Sequence, residues 1–508
     1  MQYGHNPEAH EVREPKTREE QLAYDEPHRP RFHFTPPRGW VNDPNGLVYL
    51  DGEYHLFYQY FPDDTVWGPM HWGHAVSQDL VNWQHLPIAL YPDNLGYIFS
   101  GSAVIDRDNT AGFGRDALVA IFTHHAHDTH TQSQSIAYST DNGRSWTKYP
   151  GNPLITPPDG LRDFRDPKVF WYDDPGGGGH WVMALATTAA VLFYTSPDLV
   201  HWQPSGRFGD GPGSTGGVWE CPDLVQLSVD GGPDKRWVLI LGVGNAAPAG
   251  GSGEQYFIGH FDGRTFHNDN PETLVLWFDY GADNYATQTW SGAPDGRCLA
   301  LSWMNNWSYG RHLPTTPWRG AMTLPRELSL SRTADGLRLR QRAPTEFTQL
   351  RRTTWQQTAV GLSPDQPLKL PTNSRRLEII LDATIAADQG GAFGLNLRGP
   401  GDAQTTMTYI PSQERLTLDR VRSGAVDFHD TFPSVHSAPL PVVSGELRLH
   451  IVIDHASIEL FASDGLLTMT DCIFPGAGPQ SVELFAQDTA VHFSNITLHE
   501  LGSARFTL

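Results

Sequence analysis

Cysteine is scarce in this chain of 508 residues: Cys221, Cys298 and Cys472 stand far apart, with no CxxC spacing. Neither a disulfide framework nor a cysteine zinc site is expected. Long hydrophobic runs are also missing. No segment approaches the roughly 18 consecutive apolar residues that a membrane-spanning helix needs, and the polar first thirty residues hold no apolar stretch of the kind a secretory leader carries. Residues 1–30 are expected to form a polar N-terminal arm, mobile or a short helix, and cytoplasmic residence is the default expectation. Positive charge is in short supply too, with 36 Lys and Arg against 57 Asp and Glu and a formal net charge of -21. Such a chain repels phosphate backbones and anionic headgroups, so neither nucleic acid nor a membrane is expected as a partner. A neutral small molecule or polymer fits better.

Turn formers and aromatics are what the chain has in quantity. Glycine and proline number 50 and 39, above the share of about 12% usual in globular chains, and 16 tryptophans argue against a disordered low-complexity polymer. Many short strands joined by turns fit this balance, so an all-β fold is expected. A weak internal repeat suggests its architecture. Ser77-Gln-Asp-Leu-Val-Asn-Trp83, Ser139-Thr-Asp-Asn-Gly-Arg-Ser-Trp146 and Ser196-Pro-Asp-Leu-Val-His-Trp202 share a Ser, an Asp two residues on and a closing Trp. Phe261-Asp-Gly-Arg-Thr-Phe266 is a degenerate fourth copy. Spacings of about 60 residues leave room for the four short strands of a propeller blade, and a fifth unit runs through Thr287-Gln-Thr-Trp-Ser and Cys298-Leu-Ala-Leu-Ser-Trp303. Residues 31–345 are expected to form a five-bladed β-propeller. Farther on the pattern alternates, as in Glu446-Leu-Arg-Leu-His-Ile-Val-Ile-Asp, which suits a sheet with one face in a core and one in water. Residues 346–508 are expected to form a C-terminal β-sandwich, a candidate surface for a homodimer.

In a propeller the innermost strand of each blade faces the central channel, so residues that open the blades converge on one funnel. The openings here are Trp40-Val-Asn-Asp43-Pro-Asn-Gly46, Phe99-Ser-Gly-Ser102, Phe164-Arg-Asp166-Pro-Lys168 and Trp219-Glu220-Cys-Pro-Asp223. Asp-Pro pairs also start turns for local reasons, but three carboxylates at equivalent points are more than turn chemistry requires. Acids grouped in a cleft suit glycosidic bond cleavage, with one carboxylate as nucleophile or base and one protonated carboxyl as acid. A third acid can hold sugar hydroxyls as the oxocarbenium-like transition state develops.

In this order and spacing, WVNDPNG, FRDPK and WECPDL are similar to the three signatures of glycoside hydrolase family 32, the β-fructosidases that include invertases, inulinases and levanases. The resemblance extends over HWGHAVSQDLVNWQHLPIAL, IFSGSA, FDYGADNYATQTW and WRGAMTLPREL. It implies a propeller joined to a sandwich and a retaining double displacement without metal or cofactor. Asp43 would be the nucleophile, Glu220 the acid/base and Asp166 the transition-state stabiliser. The fructose pocket would draw on Asn42, Gln59, Trp67, Phe99, Ser100, Arg165 and Trp303, and Asp279 and Asp283 would contact the leaving sugar. Arg165 beside Asp166 is expected to keep that acid ionised. The implied activity is exo-release of terminal fructose from levan or inulin, with sucrose also cleaved. A fructosyltransferase, a sucrose-specific invertase and a non-catalytic fructan-binding protein are the alternatives. The run Thr123-His-His-Ala-His-Asp-Thr-His130 is expected to be a loop between blade strands rather than a metal site, since it lacks the helical spacing of HExxH.

Overall fold

The computed structural model describes residues 24–364, 366–386, 390–442 and 445–508. The repeated Ser-x-Asp segment folds into the same kind of turn each time. Asp79 Oδ1 accepts the N–H groups of Val81 and Asn82 at 3.1 and 2.8 Å, and Asp198 Oδ1 accepts those of Val200 and His201 at 3.0 and 2.7 Å. Asp141 accepts the N–H of Ser145, and Asp262 those of Arg264 and Thr265. The residue after each Asp is left-handed: Leu80 at φ 62, Asn142 at 56, Leu199 at 63 and Gly263 at 89. A left-handed leucine costs about 1–2 kcal/mol, and charge-assisted hydrogen bonds donated to the Asp by backbone N–H groups offset it. The Asp is thus a turn former that drives the chain from the third strand of a blade into the fourth.

Five antiparallel sheets follow one another in this way. Their innermost strands are Gly39–Leu50, Tyr97–Asp106, Arg165–Asp173, Trp219–Ser228 and Tyr285–Thr289. These strands pack side by side in a closed ring, the fifth returning to the first. Apolar clusters fill the space between consecutive blades: Val104, Ile121, Val169 and Met183 between the second and third, and Val182, Phe193, Leu224 and Leu239 between the third and fourth. Two strands from elsewhere complete the first blade. Trp318–Arg319 runs parallel to Gly39–Trp40, and Phe506–Thr507 runs parallel to Trp83–Gln84.

After the propeller come two six-stranded sheets packed face to face. The alternating register predicted for 446–454 puts Leu447, Leu449 and Ile451 into their shared core, with Leu395, Leu418 and Leu484 from the opposite sheet. The N-terminal arm lies outside the described residues as far as residue 23. Residues 24–30 are docked rather than free: the Tyr24 hydroxyl donates to Thr35 O at 3.1 Å, and Arg29 lies 3.7 Å from the Trp318 ring centroid.

Propeller and sandwich meet over buried ion pairs. Arg326 of the fifth blade donates to Asp279 at 3.1 Å and to Glu459 of the sandwich at 2.7 Å. Arg420 of the sandwich donates to Asp283 at 2.6 Å, and Tyr309 donates to the same carboxylate at 2.7 Å. Asp279 and Asp283 therefore do not contact a leaving sugar. Both are sealed into the joint between domains, where their oxygens also accept the backbone N–H groups of Thr470 and Cys472 at 2.8 Å.

Candidate active site

The five innermost strands share a defect. Each breaks register against the second strand of its blade, at 41–48, 98–101, 165–168, 220–223 and 285–288. A bulge adds a residue to one strand and re-aims its side chains. Backbone strain accompanies it: Asp166, Cys221 and Ala286 are left-handed at φ 64, 49 and 56, and such strain clusters at functional sites. The bulges bring side chains from several blades to one cavity of about 890 Å³, whose lining includes Asp43, Asp166 and Glu220. Asn42, Gln59, Trp67, Phe99, Ser100 and Arg165 line it too.

Asp43 is fixed by three donors. Asn42 Nδ2 donates to Oδ1 at 2.9 Å, while Ser100 Oγ and Cys221 Sγ donate to Oδ2 at 2.6 and 3.5 Å. Asn42 is itself oriented by the Trp40 indole at 2.7 Å. Asp166 Oδ2 accepts the Cys221 N–H at 3.0 Å, so two neighbouring acids share one residue. Glu220 is gripped at both oxygens, Oε1 by Arg165 Nη2 at 2.9 Å and Oε2 by the Tyr285 hydroxyl at 2.6 Å. Burial raises the Tyr285 and Cys221 pKa values well above the ordinary range, with nearby carboxylates adding to the effect, so both stay neutral donors.

Burial also raises the pKa of Asp43, with the Glu220 charge adding to it, against hydrogen bonds from Ser100 and Asn42. Asp166 is pushed up to about 7, mainly by burial; Arg165 opposes the shift, while Glu220 and Asp43 reinforce it. The expectation that Arg165 keeps Asp166 fully ionised is corrected here. That guanidinium is shared among several acids, and desolvation outweighs its pull.

A stability prediction follows. Between its ordinary pKa of 3.8 and its folded value of about 7, Asp166 ionises in the unfolded chain before the folded one, so its burial destabilises the fold increasingly up to pH 7. Asp166→Asn is expected to raise stability by about 1–4 kcal/mol at pH 7.5 and by almost nothing near pH 3.5. It is also expected to lower kcat at least about a hundredfold. Thermal melts at the two pH values and initial rates on sucrose check both parts.

Trp303 is not on the cavity wall. It is fully buried behind it, against Trp40 and Trp307 with ring centroids 5.8 and 4.8 Å away. Trp307, four residues on, lines the cavity instead. The histidine run is partly strand, since His124 and His125 end Ala117–His125. His125 and His130 line the cavity, and His125 stacks on Phe99 with centroids 4.4 Å apart and planes at 3°. In the sequence those two stood out only as part of a metal-site candidate and not as cavity wall, and no sequence pattern singled out Asp163, Tyr285 or Arg311. For Tyr285 a signal existed, since it opens the fifth innermost strand where the other blades place their acids.

Comparison with known proteins places the chain in a family. The family model of the glycosyl hydrolases family 32 N-terminal domain matches residues 33–343, and that of the family 32 C-terminal domain matches residues 346–500. A levanase of Bacillus subtilis (strain 168) is 48% identical over 486 residues, covering 94% of this chain and 71% of the levanase. An extracellular exo-inulinase of Aspergillus awamori is 38% identical, covering 89% of this chain and 91% of its own. A crystal structure of exo-inulinase from Aspergillus awamori superposes with a TM-score of 0.86 at 35% identity, over 94% of this chain and 99% of that one. The chain belongs to glycosyl hydrolase family 32. It is a glycoside hydrolase, built as that family is from a propeller and a β-sandwich. The expectation of cytoplasmic residence is overturned, because relatives such as the exo-inulinase are named extracellular, which points to a secreted enzyme.

Proposed function

We propose that this chain is a retaining, exo-acting β-fructosidase that releases terminal fructose from levan and inulin and also cleaves sucrose. The observation that carries the reading is the convergence of Asp43, Asp166 and Glu220, from three different blades, on one cavity with Asn42, Gln59, Trp67 and Arg165. Kinship with a levanase and an exo-inulinase supports the choice of fructans.

Asp43 attacks the anomeric C2 of a terminal fructose as Glu220 gives its proton to the leaving oxygen, and the C2–O bond to the leaving sugar breaks. A carboxylate ester of Asp43 results. Water then attacks C2, Glu220 takes up its proton, and Asp43 leaves as carboxylate. Asp166 never bonds to carbon. It hydrogen-bonds fructose hydroxyls as positive charge builds on the ring. Trp67 and Phe99, set edge to face with centroids 6.0 Å apart, offer apolar surface to the sugar.

A time course of product sizes tests this. Fructose is expected as the only early product from levan and inulin, and fructose with glucose from sucrose. Early oligosaccharides from either polymer would show endo action, and binding of levan with no sugar released would show a non-catalytic binder.

A further inference from the structure

Arg165 makes its shortest contact with a carboxylate that has no part in the reaction just described. Nη1 donates to Asp163 Oδ1 at 2.6 Å and to Gln132 Oε1 at 3.2 Å, Nη2 donates to Glu220 Oε1 at 2.9 Å, and Nε lies 3.7 Å from Asp166 Oδ2. Asp163 is held from behind, its Oδ2 accepting the Thr188 hydroxyl at 2.8 Å. It cannot turn away from the guanidinium without giving up that second bond.

Glu220 has a conflicting task. A general acid must carry a proton at working pH, yet both of its neighbours favour the bare carboxylate: Arg165 at one oxygen and the Tyr285 phenol at the other. Asp163 acts in the opposite sense. A negative charge on the other terminal nitrogen of the same guanidinium competes for its hydrogen bonding and offsets its positive charge, so ionised Glu220 gains less from Arg165. The other titratable groups around Glu220 are Asp43 on the first blade, Asp166 on the third, and Cys221 beside it on the fourth. Asp163 in turn is flanked by Arg162.

We propose that Asp163 is a positioning residue for proton transfer, engaging Arg165 so that Glu220 keeps its proton for the first step. The proposal rests on the reading of Glu220 as the acid. Asp163 touches no reacting atom and acts only through Arg165.

The test compares pH profiles of kcat/KM on sucrose. Asp163→Asn is expected to move the alkaline limb down by about half to one pH unit, and Tyr285→Phe to move it up by a similar amount. Thr188→Val, which loosens Asp163 without removing its charge, is expected to shift the limb down by less. Asp163→Glu is expected to restore it. On an aryl β-fructoside, whose phenolate leaves without a proton, wild type and Asp163→Asn are expected to coincide above the limb. An unmoved limb in Asp163→Asn, or an equal loss at every pH, overturns the proposal even if Tyr285→Phe behaves as expected. A separate measurement tests the underlying reading. If Glu220→Gln lowers kcat/KM, which reports only the first step, for the aryl β-fructoside as much as for sucrose, Glu220 is not the acid and the proposal falls with that assignment.

Discussion

Asp43→Ala is expected to abolish fructose release from sucrose, levan and inulin alike, with kcat/KM lower by at least about four orders of magnitude. No neighbour can substitute for it. The two nearest groups on its Oδ2 are a serine hydroxyl and a cysteine thiol kept neutral by burial. The carboxylate is also held in one orientation by three donors, so even a small displacement of the attacking oxygen forfeits much of the rate. Added azide extends the test. On an aryl β-fructoside, azide entering the space left by the Asp43 side chain attacks C2 from the enzyme's face and yields the inverted α-fructosyl azide. In Glu220→Ala, azide instead intercepts the ester on Asp43 and yields the retained β-azide. Two different anomers from two variants establish double displacement and assign both partners. The same anomer from both would refute the assignment.

The second large effect concerns stability. Arg420 is fully buried and donates to Asp283 of the propeller at 2.6 Å, lies 3.3 Å from Asp471, and stacks 4.0 Å from the Phe432 centroid. Arg420→Met keeps most of the volume but takes the guanidinium from two buried carboxylates. Burial already raises the pKa of Asp283, with Arg420 opposing the rise. Losing one partner of such a pair costs about 3–5 kcal/mol, so the urea midpoint is expected to fall clearly. Adding Asp283→Asn to Arg420→Met is expected to recover part of the loss, because the stranded charge is then gone. Additive losses would mean that Arg420 acts through packing alone. Activity is expected to fall as well, since Asp283 lies two residues before Tyr285, whose hydroxyl holds Glu220.

Much of this molecule was legible before its folding was known. The Ser-x-Asp repeat carries its own turn chemistry within a few residues, so the blades follow from local sequence. The three acids stood out because each opens an innermost strand, and the bulge that aims it lies in the same segment. What was hidden depends on distant chain. The partners of Asp279 and Asp283 lie 26 to 191 residues away, and nothing beside either residue announces a buried arginine. Arg165 next to Asp166 suggested an ionised acid, whereas closing the ring of blades removes enough water to reverse that conclusion. Trp303 and Trp307 are four residues apart, and only the end of the strand Cys298–Trp303 decides which one reaches the cavity. His125 and His130 reach it because a hairpin folds back, which no periodicity records.

The short strand Phe506–Thr507 lies on the outer edge of the first blade, the blade whose innermost strand bears Asp43. In the order of synthesis it follows the entire sandwich. A nascent chain can stack its five blades as they leave the ribosome, but the first of them keeps an open edge until more than 150 further residues have emerged. The propeller that carries the three acids therefore reaches its final form only after the sandwich has been made, and the ion pairs Arg326–Glu459 and Arg420–Asp283 form in that same late interval.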